Sequence, residues 1–452
     1  MPDSEKRPKM RLPPMQPAGL IGGHIRKFWR DRIGFLTRQA ALGDLTYFRM
    51  GPVPAYFINH PDLIRDMLVV NAHKFVKGRA LQRSRVLLGN GLLTNEGADH
   101  LRQRRMIQPA FHRARIAEYA RSMVEYAVKM SDTWTDDSVV DIDKEMMYLT
   151  LQIVGRTLFS SEVGDDADRI GQAMTTLVEL FNFLLLPFSE WLEKLPFPQS
   201  RKFKQARATL DDIVYGIINE RRLSGEDKGD LLSMLLLAQD EDDGTRMTDE
   251  QVRDEALTLF LAGHETTANA MTWTWYLLSQ NPAAEAKFHA EIDSLLTGRV
   301  PTIDDVPQLK YTESVLAESM RLYPPAWAVG RNAAETHSMN GYEISPGSLV
   351  LSSPFILHRD ERFWDRPLEF RPERWESLSV KEAGQRNVYL PFGGGVRRCI
   401  GESFAWTEGI LLLATLARKW RMDLVPGQRI EMKPMITLRP KNGMKMRLHL
   451  RS

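Results

Sequence analysis

Cysteine is almost missing from this chain: 452 residues carry one. A single thiol excludes an internal disulfide framework, a multi-cysteine zinc site and a cysteine-ligated iron–sulfur cluster, and it suits a reducing compartment. Long apolar runs are missing too. The opening MPDSEKRPKMRLPPMQPAGLIGGHIRKFW holds none long enough for a signal sequence or a membrane span. The longest lipophilic stretch, FNFLLLPF from Phe181 to Phe188, is too short to span and carries a proline. A cytoplasmic chain is expected. Neither sign of charge is in marked excess, with a net charge of only +2, so no general affinity for nucleic acid or other polyanions follows. There is no internal repeat, no low-complexity tract, no dinucleotide-binding G-x-G-x-x-G and no phosphate-binding G-K-[ST]. What is present is ordinary globular material, 43% hydrophobic and 26% charged, enough for a large core.

The texture of the chain is mostly helical. Residues 1–40 read as a Pro-rich extension with a first helix, and residues 41–452 as one domain without a cutting linker. DLTYFRMGPVPAYFINHP alternates as strands around a turn. From about residue 100 to 325 the pattern is helical, broken at LPFSEWLEKLPFPQS and at RRLSGEDKGD, the latter a solvated loop. NGYEISPGSLVL has an Asn-Gly and a Pro-Gly turn and reads as hairpin strands. DERFWDRPLEFRPERW reads as ordered coil, IGESFAWTEGILLLATLARKW as a helix, and MITLRPKNGMKMRLHL as a last hairpin. The predicted fold class is therefore mainly α with small β-sheets. LRQRRMIQPAFHRARIAEYAR, from Leu101 to Arg121, is basic at helical spacing.

One predicted helix is unusually long. Thr248 and Gln251 have capping-box spacing, and Pro282 closes the pattern. At 1.5 Å per residue such a helix runs roughly 45–50 Å and must cross the core. Its middle, LAGHETTAN, is weakened on purpose. Gly263 costs about 1 kcal/mol against alanine there, and Thr266 and Thr267 can bond back to the preceding turn. Close backbone approach and a polar group are needed at that point. Two decoys fail: HETTA lacks the second histidine of a zinc protease, and HRD at His358–Asp360 is not followed by the rest of a kinase catalytic loop.

The lone cysteine sits in FGGGVRRCIG, Phe392 to Gly401. Glycines permit a tight loop whose N–H groups can face the sulfur, a helix N-terminus follows, and two arginines precede it. All three favour a thiolate, the form that binds a metal. Gly401 leaves room for something flat against the backbone.

The pattern F-x-x-G-x-R-x-C-x-G at Phe392, Gly395, Arg397, Cys399 and Gly401 resembles the haem-binding loop of the cytochrome P-450 family of haem-thiolate monooxygenases. AGHETT, ESMR (Glu318–Arg321), FRPERW (Phe370–Trp375) and HLRQR (His100–Arg104) follow the family's landmarks in order, and the likeness covers roughly residues 45 to 450. It implies the family's fold, with the long helix crossing over haem b (iron protoporphyrin IX), and Cys399 as axial iron ligand. It implies propionate contacts from His100, Arg104, Arg331 and Arg397, and a structural triad of Glu318, Arg321 and Arg374. Thr266 and Glu265 would be the catalytic alcohol and acid of a proton relay. The implied reaction inserts one oxygen atom of dioxygen into a C–H or C=C bond. No flavin or ferredoxin module is visible, so electrons from NAD(P)H would arrive through a separate ferredoxin or flavodoxin and its reductase, docking near the basic segment. The pocket would be formed by Phe181 and Phe183, Ala262 and Gly263, Ala328 and Val329, and Thr437. Its apolar lining suggests a lipophilic substrate, of fatty acid, alkane or terpenoid type. A peroxide-driven enzyme and a non-catalytic haem sensor are the rivals, and the adjacent acid and alcohol argue against both.

Overall fold

The strand alternation around Gly51 is realised as an antiparallel pair, Leu45–Met50 with Val53–Ile58, in register Leu45 to Ile58. These and all later coordinates come from a computed structural model that describes residues 12–19, 22–160, 167–184, 197–239 and 244–451, apart from the side chains of 167, 168, 178 and 181–184. Contacts divide the chain into two compact units. One comprises Met1–Arg79, Ala328–Pro367 and Lys381–Arg398, and the other comprises Ala80–Trp327, Leu368–Val380 and Cys399–Ser452.

The first unit is built on a five-stranded sheet. Its order is Leu45–Met50, Val53–Ile58, Leu349–Ser352, Val329–Ala333, Phe75–Lys77. Alternate positions of these strands, Leu45, Tyr47, Tyr56, Ile58, Phe75 and Val350 among them, form one buried cluster with Ile64, Met67 and Leu390. Asn340 and Gly341, both at positive φ, turn a small hairpin of His337–Met339 and Tyr342–Ile344, as expected from Asn-Gly. The Pro346–Gly347 turn does not extend that hairpin. It delivers Leu349–Ser352 to the main sheet, parallel to Val53–Ile58 and antiparallel to Val329–Ala333. His358 of the kinase-like HRD is structural: its Nε2 accepts from the Leu390 N–H at 2.9 Å.

The second unit is helical. Its axis is the helix Asp249–Gln280, 32 residues long. The predicted capping box is formed: the Gln251 N–H donates to Thr248 Oγ1 at 3.2 Å and the Thr248 N–H to Gln251 Oε1 at 2.9 Å. Buried residues run along most of this central helix because neighbouring helices cover it on several sides. It packs on the helices Ile142–Phe159, Pro198–Ser224, Lys310–Leu322 and Glu402–Ala417. The basic segment is two helices, Gly97–Ile107 and Arg113–Thr133, since Pro109 lies in a short 3-10 turn between them.

Two expectations need correction here. RRLSGEDKGD is not wholly a solvated loop. The helix Pro198–Ser224 runs on to a left-handed Gly225, so Arg221 is buried and pairs with Asp230 at 2.7 Å. The C-terminal strands do not form a hairpin with each other. Leu438–Pro440 pairs with Met432–Pro434, while Lys445–Leu450 pairs with Trp420–Leu424 and Val139–Asp141. The break at LPFSEWLEKLPFPQS lies almost entirely outside the described residues.

Acidic side chains on the first half of the central helix pin a loop. Asp254 accepts from the Asn90 N–H at 2.7 Å and Glu255 from the Leu92 N–H at 2.9 Å. Gly91 is obligatory there, because a Cβ would fall 2.7 Å from the Asp254 carbonyl oxygen. Arg253 continues the chain of charge, binding Asp254 at 2.8 Å on one side and Asp211 of the helix Pro198–Ser224 on the other.

Candidate active site

At mid-length the central helix opens on one face. Leu257–Leu261 and Thr267–Trp275 are buried apart from a partly exposed Tyr276 just beyond, yet Ala262 is exposed and Gly263 and Thr266 are only half-buried. The threonine bonds back as its position predicts: Thr266 Oγ1 donates to the Ala262 carbonyl at 2.7 Å. A hydroxyl has one hydrogen, so the Thr266 oxygen is left to accept. Gly263 serves close packing, because a Cβ there would sit 3.0 Å from Val154 Cγ2. His264 turns away from this face. Its Nδ1 lies 2.9 Å from the Phe260 carbonyl, and burial holds its pKa below the usual imidazole value.

Glu265 is buried, and its carboxylate is fully engaged on one oxygen. Arg439 Nε donates to Oε1 at 2.8 Å, and the Thr437 hydroxyl donates to the same atom. Asn269 closes the cluster, donating to the Glu265 carbonyl at 2.8 Å and to Thr437 Oγ1 at 3.3 Å. Thr437, expected as pocket wall, is thus a partner of the acid. Asp143 stands in the same electrostatic neighbourhood. Burial pushes its carboxyl up to about 6, against the pull of Arg439. Neither Arg439 nor Asp143 was singled out from sequence, and no local spacing marks them.

The cysteine loop resolves its glycines into two kinds. Gly395 has φ +67, and a Cβ there would overlap the Leu68 carbonyl oxygen, so the protein's own backbone demands glycine. Gly401 has an ordinary φ of −87, and a Cβ would meet only the Phe111 ring, at 3.6 Å. Among the described residues nothing forbids alanine at 401. Cys399 is exposed, three residues before the helix Glu402–Ala417, whose N-terminal partial charge favours a thiolate. In the same unit, His100 is buried and Arg104 half-buried, one turn apart on one face of Gly97–Ile107. Phe392, Arg397, Arg331, Ala328 and Val329 belong to the first unit. Arg397 Nη1 donates to the Phe75 carbonyl at 2.8 Å and Arg331 Nη1 to the Gly330 carbonyl at 3.0 Å. Phe392, Ala328 and Val329 are half-buried. The Phe181 and Phe183 side chains lie outside the described residues.

The family model for cytochrome P-450 matches residues 13–447 of this chain. The chain is a cytochrome P-450. It is 42% identical over 426 residues to cyclooctatin synthase of Streptomyces melanosporofaciens, covering 93% of this chain and 92% of that protein. Cyclooctat-9-en-7-ol 5-monooxygenase of the same organism is 39% identical over 407 residues, covering 90% and 88%. Pentalenene oxygenase of Streptomyces avermitilis is 36% identical over 435 residues, covering 96% of each chain. This cytochrome P-450 is accordingly a haem-dependent monooxygenase of the mainly α family fold. Among the described residues no helix is long and apolar enough to cross a membrane.

The residues present fit a haem. A thiol stands exposed at a helix N-terminus, Gly401 keeps a space that no protein atom requires, and small side chains open one face of an otherwise buried helix. The same unit holds the triad of Glu318, Arg321 and Arg374, whose side chains the structure brings together. The Glu318 carboxylate accepts from Arg321 Nε and Nη2, each at 2.9 Å, and from Arg374 Nε at 2.8 Å. The Arg371 N–H and the Trp375 indole add donors at 2.9 and 3.1 Å. Trp375 was visible in FRPERW but had no assigned part. A second buried carboxyl, Glu408, lies on the helix after Cys399. Burial pushes it up to about 8, moderated by Thr267, and neither of its oxygens meets hydrogen-bond geometry with any described residue.

Proposed function

We propose that this cytochrome P-450 oxidises a terpenoid-like hydrocarbon or alcohol, using NAD(P)H through a separate ferredoxin or flavodoxin and its reductase in the cytoplasm. Of the three lipophilic classes expected from sequence, the terpenoid-like one is favoured by the relatives, which are named for cyclooctatin, cyclooctat-9-en-7-ol and pentalenene. The observation that carries the site reading is the opened face at Ala262, Gly263 and Thr266, small and apolar except for one hydroxyl.

When bound, the haem supplies dioxygen binding and O–O cleavage. The chain's residues do the rest. Cys399 would hold the iron as thiolate, and His100, Arg104, Arg331 and Arg397 would take the propionates as the resemblance implies, the three arginines through their guanidinium forks. Thr266, its proton committed to the Ala262 carbonyl, accepts from a water at Oγ1 and so aims that water's other proton outward. Glu265 would relay protons to this water: its carboxylate takes a proton from solvent, passes it on as the carboxyl, and returns to the ionised form that Arg439 and Thr437 hold. Ala262 and Gly263 would lie against the substrate and keep bulk water from it. Arg105 and Arg113, both exposed, form the landing ground for an acidic redox protein.

The test is turnover of a panel of cyclic terpene hydrocarbons with ferredoxin, reductase and NAD(P)H under labelled dioxygen. Products carrying one labelled oxygen atom are expected. Conversion of fatty acids or alkanes with no terpenoid product would overturn the substrate class. Charge reversal at Arg105 and Arg113 slows electron delivery and flattens its salt dependence, whereas unchanged rates and salt dependence would remove the docking surface.

A further inference from the structure

The central helix carries a second opening, on another side. A cavity of about 390 Å³ lies wholly within the helical unit, lined by Gly155, Phe159, Val214, Gly216, Leu257 and Phe260 among others. Successive helical residues turn by about 100°, so Leu257, nine before Thr266, points about 180° away from it, and Phe260 about 120° away. Leu257 and Phe260 thus face away from Thr266, whereas Ala256, also in the lining, is seven residues before Gly263 and points within about 20° of it, on the side where Gly263 packs against Val154.

The space is a cleft open to solvent on one side, since Asp212, Gly216 and Glu220 of its lining are exposed. At the roughly 30 Å³ that a water occupies in the liquid, 390/30 gives room for about thirteen non-hydrogen atoms. The chain keeps it open at a cost. Gly216 is in the interior of the helix Pro198–Ser224, where glycine costs about 1 kcal/mol against alanine. A Cβ at Gly216 would meet nothing within 4 Å, so packing does not demand the glycine. The floor is apolar, with Phe159 and Phe260 rings 5.4 Å apart and Leu257 beside them. The mouth is polar, with Arg169, Asp212 and Glu220 exposed around it.

We propose that this cavity is a second, non-catalytic site for a compact neutral alicyclic molecule of about ten to thirteen non-hydrogen atoms with one hydroxyl, cage inward and hydroxyl at the mouth. Its occupant rests on Phe260, whose carbonyl is bound by His264, the neighbour of Glu265. It is thereby placed to report occupancy to the proton relay.

The probe is 1-adamantanol, titrated calorimetrically into the full haem-loaded protein already saturated with 4-phenylimidazole, which blocks the iron and the reactive face. One saturable binding event is expected in the wild type. Gly216→Trp fills the mouth from a surface helix position with free space, and Ala256→Leu fills the floor. Each is expected to weaken binding at least about tenfold, a change of about 1.4 kcal/mol, while leaving the carbon monoxide spectrum of the reduced protein unchanged. Absence of binding to the blocked wild type would overturn the proposal. So would equal binding by wild type and both variants, which would place the probe elsewhere.

Discussion

Replacing Glu318 by glutamine tests how much of this fold hangs on one carboxylate. In the wild type that group is fully buried and takes five donors, three from the guanidinium groups of Arg321 and Arg374, one from the Arg371 N–H and one from the Trp375 indole. Arg321 is equally buried, at 0% exposure. A glutamine keeps one acceptor oxygen but presents an amide to donors and removes the counter-charge. Breaking a buried pair from one side costs about 3–5 kcal/mol, since it strands the other charge. Whole domains are stable by only about 5–15 kcal/mol, so Glu318→Gln removes about a fifth or more. The assay is urea unfolding followed by far-ultraviolet circular dichroism, with an unchanged m-value required for the comparison. Trp375→Phe provides the scale, because it deletes one neutral donor to a charged acceptor and costs about 1.5–3 kcal/mol. If Glu318→Gln unfolds within about 1 kcal/mol of wild type, the carboxylate does not hold this knot and the reasoning fails.

Glu408 makes stability depend on pH. Its folded value, raised from 4.5 to about 8, means the folded state binds the proton more tightly than the unfolded one. The contribution is fully present below pH 4.5 and is lost as pH rises through 8, about 3 kcal/mol of it between pH 4.5 and 7. Glu408→Gln removes that slope, so melting temperatures of variant and wild type converge toward low pH and separate in favour of the variant above pH 7. Arg439→Met strands Glu265 and lowers stability by about 3–5 kcal/mol. Adding Glu265→Gln recovers part of that loss, and a double-mutant cycle giving less than about 0.5 kcal/mol of coupling contradicts the pairing. The two glycines of the cysteine loop separate in one experiment. Gly395→Ala lowers the stability of the haem-free chain by at least about 1–3 kcal/mol, whereas Gly401→Ala leaves it unchanged and weakens haem retention, read from the Soret absorbance per protein.

Local features were legible from sequence because local physics decides them. The capping box of Thr248 and Gln251, the Asn340–Gly341 hairpin and the back-bonding of Thr266 each need only neighbours within four residues. The Glu318–Arg321 pair was legible only through the family resemblance, since a charge pair three residues apart is common on any helix. What escaped was non-local. Leu349–Ser352 reads as the second arm of a hairpin, and nothing near it announces a parallel partner at Val53–Ile58. Arg439 reaches Glu265 from a strand whose sequence shows only alternation. Arg221 looked solvated because charges dominate its window, while the left-handed Gly225 that ends its helix sits inside the same window and moves the boundary past it. Asp143 and Glu408 were invisible as titrating groups, since their burial belongs to the packed helices and not to their neighbours in sequence.

The Asp211–Arg253–Asp254–Asn90 series behaves as a mechanical linkage. A surface helix holds one end, a glycine loop the other, and the pivot is a buried arginine on a helix that cannot swing. Lifting the helix Pro198–Ser224 takes Asp211 from Arg253, and the guanidinium then has Asp254 alone to neutralise it. The loop at 89–92 and the surface helix are thus tied through two adjacent residues of the central helix, Arg253 and Asp254, the latter giving Oδ1 to the arginine and Oδ2 to the Asn90 N–H.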